Sequence, residues 1–344
     1  MPASLTGLLM IKDLPKIIDV SKRMLPLLLL LLLLLKESRG QIDVCGRANL
    51  NNRIAGGDVA PDGAWPWQAS LTFFGRHFCG GTLINNQWVL TAAHCMVVSP
   101  DLMVVHLGRQ RQSGPNPNEL NFNVSMAIVH PEYDVDTVDN DMTLLLLSAP
   151  VNFNEFIKPV CLAAATSTFF AGTNSWVTGW GFIGEGIPLP PPGDLMEVKM
   201  PVVGNRKCFC QYCFINITEN MICAGLTQGG RGGCPGDSGG PLMSKNGSVW
   251  VQSGVASFAF GCGQPRFPTV FARVSQYQDW IINHTGVENM PGFVTFTSPG
   301  TDSDLHESCA ALPPIDNCPG GVEMFWKCFG DKRDDCNRAP PITL

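Results

Sequence analysis

Three short segments carry residue types suited to acyl transfer. Thr91-Ala92-Ala93-His94-Cys95 offers an imidazole, Asp139-Asn140-Asp141-Met142-Thr143-Leu144-Leu145 offers carboxylates ahead of an apolar run, and Gly236-Asp237-Ser238-Gly239-Gly240-Pro241 sets a serine among glycines. A serine hydroxyl is a poor nucleophile at neutral pH, so Ser238 needs a base to take its proton. His94 is the candidate base, and Asp141 the carboxylate that would fix its tautomer and stabilise the imidazolium. Glycines around Ser238 allow a sharp turn, so the amides of Gly236 and Ser238 can point at a developing oxyanion. Losing one such donor typically costs about 3 to 4 kcal/mol of transition-state stabilisation. His77, His106, His130, His284 and His306 read as surface or packed histidines.

Residues so far apart in sequence need a rigid scaffold. From Ile54 to about Thr285 the chain is built of short apolar runs such as Trp88 to Leu90, Met103 to Leu107 and Val249 to Val255, punctuated by Gly, Pro, Asn and Asp. Short strands with turn signals between them predict an all-β sandwich or barrel. Val274 to Asn283, with Val274, Tyr277, Trp280 and Ile281 at helical spacing, predicts one amphipathic helix closing the domain. No repeat of 20 to 50 residues is present.

In their order His, Asp, Ser, and over the span from about Arg53 to Thr285, these segments resemble the trypsin/chymotrypsin family of serine endopeptidases. The resemblance implies two six-stranded antiparallel β-barrels with a C-terminal helix, and peptide hydrolysis through an acyl-enzyme. It also implies a switch. Cleavage after Arg53 by a trypsin-like protease would free the α-amine of Ile54, which would pair with Asp237 and order the oxyanion hole, so the chain as translated would be a zymogen. Family disulfides map onto Cys79 with Cys95, Cys234 with Cys262, and Cys45 with Cys161, the last tethering the propeptide. Cys223 would pair with Cys208 or Cys210, and Cys213 leaves that loop open. Where many relatives carry a further bridge, both positions are serine, Ser175 and Ser244.

The pocket departs from trypsin-like members, which place an Asp six residues before the nucleophile. Here that residue is Gly232, whose uncharged floor cannot offset the desolvation of a buried guanidinium or ammonium. Arg231 beside it reads as solvated. By the same alignment Ser257, Ala259 and Thr269 form the walls, and the methyl groups of Ala259 and Thr269 narrow the space. The pattern is similar to elastase-like members and implies preference for small or medium aliphatic side chains. Phe258 stands where Trp is usual, and Pro235 where Gln is common, removing its own N–H but not that of Gly236. Arg109 follows Leu107-Gly108 where calcium-binding relatives place a carboxylate, so no metal is expected, and no cofactor.

The rest of the 344 residues sets the compartment. Of these, 45% are hydrophobic and 15% charged, with a formal net charge of -6 and no Lys/Arg-rich run, which argues against nucleic acid as a partner. Fourteen cysteines fit an oxidising compartment. Met24 to Leu35, ending in nine leucines and flanked by Lys22, Arg23 and Lys36, covers roughly 18 Å as a helix against a hydrocarbon core of about 30 Å. It reads as a secretory signal with cleavage before Gln41; a retained signal anchor is the alternative. Four sequons at Asn123, Asn216, Asn246 and Asn283 fit a secreted glycoprotein.

The expected order is therefore a signal and leader over 1–40, a propeptide over 41–53 tethered by Cys45, a protease domain over 54–285, a linker over 286–308 rich in Thr, Ser, Gly, Pro and Asp, and a small tail over 309–344. That tail holds Cys309, Cys318, Cys328 and Cys336 at spacings matching no zinc pattern, and reads as a disulfide-held module. Protein or peptide substrates, an activating protease and protein inhibitors are the expected partners, with no stable membrane span. The reading from a different class is a catalytically inactive protease-like protein that acts by binding.

Overall fold

The computed structural model describes residues 44–51, 58–212, 215–226, 228–230, 232–307 and 342–343. The leader, Arg53, Ile54, Cys213, Arg231 and the four tail cysteines lie outside them.

Six strands close the first barrel: β2 (Gln68–Phe73), β3 (Arg76–Leu83), β4 (Trp88–Thr91), β5 (Met103–Leu107), β6 (Leu120–Val129) and β7 (Thr143–Leu147), joined in the ring order β2-β3-β4-β7-β6-β5. Its interior is packed with Leu71, Leu83, Leu90, Met103, Leu107 and Leu144, none of which reaches solvent. Closure leaves no strand edge to be satisfied elsewhere. Register shifts at Leu71/Thr72 and Val124/Met126 are the bulges that bend so small a barrel shut. Phe74 and Gly75, at φ 48° and 73°, form the two-residue turn between β2 and β3, a turn whose twist matches that of the flanking strands.

The second barrel uses β9 (Asn174–Gly179), β10 (Met196–Val203), β11 (Met221–Ala224), β12 (Pro241–Asn246), β13 (Val249–Phe260) and β14 (Thr269–Arg273), in the order β12-β9-β10-β11-β14-β13, closed by β12 against β13. The short β1 (Asp58–Val59) pairs with β10, and β8 (Cys161–Ala163) runs parallel to β13. The chain is thus all-β with two six-stranded antiparallel barrels, as the sequence implies. Val274–Tyr277 makes a 3₁₀ turn that passes into the C-terminal helix over Gln278–Thr285, ended by Gly286 at φ +75°. A further helix, α1 (Asn205–Tyr212), is not foreseen by the sequence reading; the C-terminal helix is α2 in chain order.

Four disulfides have both cysteines among the described residues and brace this frame: Cys45–Cys161, Cys79–Cys95, Cys208–Cys223 and Cys234–Cys262. The pairing of Cys223 left open by the sequence is made with Cys208, and Cys210 is disulfide-bonded as well. Ser175 and Ser244 face each other across β9 and β12 and share a buried hydrogen bond at 2.9 Å, a polar link at the two positions expected to have lost a bridge.

Residues 286–307 differ from the expected linker. β15 (Phe293–Val294) adds parallel to β8, Phe296 stacks on Phe169 at 4.7 Å, and the Ser298 hydroxyl donates to the Thr168 carbonyl at 3.0 Å. A 3₁₀ turn over Ser303–His306 follows. Composition suggests a solvated segment, but two phenylalanines anchor it and its polar side chains bond to the barrel. A two-residue strand, β16 (Ile342–Thr343), pairs antiparallel with the end of β13. Among the described residues no helix is long and apolar enough to cross a membrane.

Candidate active site

The cleft residues come from the ends of strands. His94 lies on the 3₁₀ turn Ala93–Cys95 that follows β4, bolted to β3 by Cys79–Cys95. Asp141 precedes β7, after Asn140 at φ 56°, and Ser238 lies in the turn that leads into β12. Asp141 is buried and accepts three hydrogen bonds: from the His94 backbone N–H at 2.9 Å, from His94 Nδ1 at 2.7 Å and from the Ser257 hydroxyl at 2.6 Å. A carboxylate oxygen can only accept, so the proton belongs on Nδ1 and the Nε2 lone pair is left for another proton. The Ser238 hydroxyl has no hydrogen-bond partner among the described residues. Such contacts commonly tighten only when substrate is bound.

Backbone geometry around Ser238 leaves little choice of residue. The Ser238 carbonyl accepts from Gly80 N–H at 2.7 Å, tying the two barrels together. A Cβ on Gly239 would fall 2.2 Å from Thr91 Oγ1, and Gly236 adopts φ +98°, a region that L side chains rarely reach. Neither the Gly236 nor the Ser238 amide has an acceptor among the described residues, so both remain available to an oxyanion. The Gly236 carbonyl is held from behind by His77, whose Nε2 donates to it at 2.8 Å while Nδ1 accepts from the Ser70 hydroxyl at 2.8 Å. Burial pushes His77 down to about 4, so the ring is neutral and its tautomer is fixed by these two partners. Nothing in the sequence around His77 distinguishes it from a packed histidine; only the fold brings it to Gly236.

Asp237 points away from the cleft. Its carboxylate accepts from the Gly181 and Cys234 amides at 2.9 and 3.1 Å, and no cation pairs with it among the described residues. Burial pushes its carboxyl up to about 6, against the pull of those two amides. A Cβ on Gly179 would lie 2.1 Å from Asp237 Oδ1, and one on Gly181 2.5 Å from its Cγ, so both glycines make room for the group. Beside it is a cavity of about 330 Å³, lined also by Glu197, Gly181, Gly232 and Gly263. In the intact chain this acid holds a proton that the unfolded chain has released between its ordinary 3.8 and about 6. Stability should therefore fall as pH rises through that window, by roughly 3 kcal/mol if the full shift is felt. Urea unfolding of the intact chain at pH 4 and pH 7, beside Asp237→Asn, checks this. The fall should shrink in the variant, and an equal fall in both would count against it.

The expected pocket residues divide. Ser257, Ala259 and Thr269 line a recess beside Ser238 of only about 10 Å³, together with Gly233, Cys234 and Phe258. Thr269 Oγ1 accepts the Gly233 amide at 2.7 Å, and a Cβ on Gly233 would lie 2.8 Å from the Thr269 methyl. Gly232 instead lines the larger cavity by Asp237. Ser257, expected as a pocket wall, also places its hydroxyl on Asp141.

The one close His/Cys grouping with metal-ligand potential among the described residues is Cys79, His94 and Cys95, and both sulfurs are spent in a disulfide. Arg109 occupies its loop as an internal cation, bonding Glu119 at 2.7 and 3.1 Å.

The sequence model described as Trypsin matches residues 54–281. Tryptase of Mus musculus is 42% identical over 250 residues, covering 69% of this chain and 90% of the relative. Testisin of Homo sapiens is 41% identical over 251 residues, covering 69% of this chain and 79% of the relative.

Proposed function

The chain belongs to the trypsin family of serine endopeptidases, and from that premise we propose that it is an exported zymogen which cleaves peptide bonds after small or medium aliphatic residues. Ser238 is the nucleophile, His94 the base and then the acid, and Asp141 the group that orients the imidazole. Ser238 Oγ attacks the scissile carbonyl as His94 Nε2 takes its proton. The oxyanion is received by the Gly236 and Ser238 amides, His94 returns the proton to the leaving amine, and water hydrolyses the acyl-enzyme by the same steps. The observation that carries this reading is the Asp141 carboxylate, which bonds the His94 amide, His94 Nδ1 and the Ser257 hydroxyl.

Cleavage between Arg53 and Ile54 is the proposed switch, supported by an Asp237 carboxylate that meets no cation among the described residues and lies beside a cavity. Cys45–Cys161 would keep the propeptide attached afterwards. Export with removal of 1–40 is supported by the disulfides, and glycosylation by the exposure of Asn123, Asn216, Asn246 and Asn283. The protease domain over 54–285 would then be continued by the docked segment over 286–307 and by a separate tail module over 309–344, and no metal or cofactor takes part.

To test it, the secreted protein is treated with a trypsin-like protease until cleavage after Arg53 is complete, then with a fluorophosphonate. Label on Ser238 is the expected result. A fully cleaved chain that takes no label would favour the inactive, binding-only reading.

Pocket shape supports the aliphatic preference. Thr269 presses on Gly233, and the one acid among the described residues lining the recess, Asp237, has its carboxylate oxygens on the Gly181 and Cys234 amides. A peptide library should give faster cleavage after Ala or Val than after Arg, and the opposite order would refute the pocket assignment. Thr269→Gly removes the whole side chain, two carbons and a hydroxyl, from the wall. Cleavage after Leu or Phe should then rise about tenfold relative to Ala, the size expected of one or two carbon atoms in an apolar pocket.

A further inference from the structure

Helix α1 is held at both ends by groups distant in sequence. Its first turn contains no acidic residue of its own. The Asp304 carboxylate supplies one from the C-terminal strap, accepting the Arg206 and Lys207 amides at 2.8 and 3.0 Å. Those N–H groups would otherwise be orphaned at the helix start, where negative charge is also favoured. The fit is specific: Asp304 is 5% exposed, and a Cβ on Gly204 would fall 2.0 Å from its Cγ. Asp302 accepts the Ala171 amide at 3.2 Å and the Asp304 amide at 3.1 Å, locking the strap itself.

At the other end of α1, buried Tyr212 donates to the Pro268 carbonyl at 2.7 Å. Pro268 immediately precedes Thr269, whose hydroxyl accepts the Gly233 amide in the recess. The Tyr212 ring stands edge-on to Phe258 at 5.8 Å and to Phe267 at 5.6 Å. Cys208–Cys223 fastens the middle of the helix to β11, where Cys223 pairs with Val270 of β14. Eight residues of helix measure about 12 Å. Strap, helix and pocket wall are thus one continuous set of directed bonds.

We propose that the strap over residues 292–307 is a specificity element, with Asp304 acting as a positioning residue that seats α1 and, through Tyr212, holds the Pro268–Thr269 wall against Gly233. This rests on reading Thr269 as the pocket wall. The test compares activated wild type with Asp304→Ala, Asp304→Asn and Tyr212→Phe on peptides cleaved after Ala, Val and Leu. Asp304→Ala should raise KM about tenfold with kcat within about twofold, and should narrow the preference for Val over Leu, as a loosened apolar wall would. Asp304→Asn, which keeps one of the two accepting oxygens, should restore part of it. Tyr212→Phe should shift selectivity the same way, and the double variant should be no worse than the stronger single one, because both cut one path. Labelling of Ser238 by a small alkyl fluorophosphonate, which fills no side-chain pocket, should be unchanged throughout.

Lowered thermal stability with KM and selectivity unchanged would overturn the proposal, leaving the strap a structural clamp, and so would additive effects of the two substitutions. Failure of the activated wild type to label at all would instead overturn the catalytic reading.

Discussion

Asp141→Asn is expected to lower kcat about ten-thousandfold, the size associated with trapping the catalytic imidazole in the wrong tautomer. Asp141 meets three donors: the His94 amide, His94 Nδ1–H and the Ser257 hydroxyl. An Asn side chain has one oxygen to accept with, and its amide nitrogen must face one of those donors. If the oxygen stays on the His94 amide, the NH₂ group faces Nδ1. The ring then responds by accepting at Nδ1 and carrying its proton on Nε2, where it cannot take the proton from Ser238. Binding is not touched by this change, so KM should stay within a few-fold while kcat falls. Ser257→Ala removes one of the three bonds without altering the tautomer and should cost far less, about tenfold, in line with a single hydrogen bond to a charged group. Steady-state kinetics at pH 8 on activated protein measures both, and equal losses in the two variants would contradict the assignment of roles.

Ser257 also shows what a sequence can and cannot convey. His94, Asp141 and Ser238 are legible because each lies in a short segment whose neighbours serve the same local geometry: small residues before His94, glycines about Ser238. The two barrels are legible because their strands are short apolar runs separated by turn residues. Contacts made across the fold carry no such local mark. His77 bonds the carbonyl of Gly236 across 159 residues, and Ser257 reaches Asp141 across 116. Helix α1 is hidden for a related reason, since its start is capped by a carboxylate 98 residues away and its own first turn has no acid. The choice between Cys208 and Cys210 is likewise a matter of helical phase. Residues two apart on a helix point about 200° from each other, so only one of them can face β11. The strap reads as a linker because composition weighs Thr, Ser and Asp as solvated, whereas Ser298 and Asp304 are buried and bonded.

Arg53→Gln is expected to give an exported chain whose peptidase activity is at least a thousandfold below that of activated wild type. The physical reason lies at Asp237, whose carboxylate is enclosed, held up at about 6 by burial, and answered only by two amides among the described residues. Burial makes its ionised form costlier than in water, and a buried charge left without a cation costs several kcal/mol. An α-amine freed at Ile54 and inserted into the adjoining cavity of about 330 Å³ would supply that cation. The gain would go to the one backbone arrangement in which Asp237 faces inward, and that arrangement also fixes Gly236 and Ser238 on either side of it. Moving a two-state equilibrium from 1:99 to 99:1 takes about 5.5 kcal/mol, which a buried ion pair replacing a lone charge can provide. A trypsin-like activator would not cut after the substituted glutamine, so the amine would never form. Arg53→Lys should remain activatable, because a trypsin-like activator accepts either cation, and this variant separates loss of cleavage from loss of folding. Asp237→Asn, cleaved normally after Arg53, should be as inactive as the uncleaved chain, since the amine would arrive without a partner. Full activity of Arg53→Gln before any cleavage would refute the switch, whereas inactive Arg53→Gln beside activatable Arg53→Lys and inert, cleaved Asp237→Asn would place it at the Ile54–Asp237 pair.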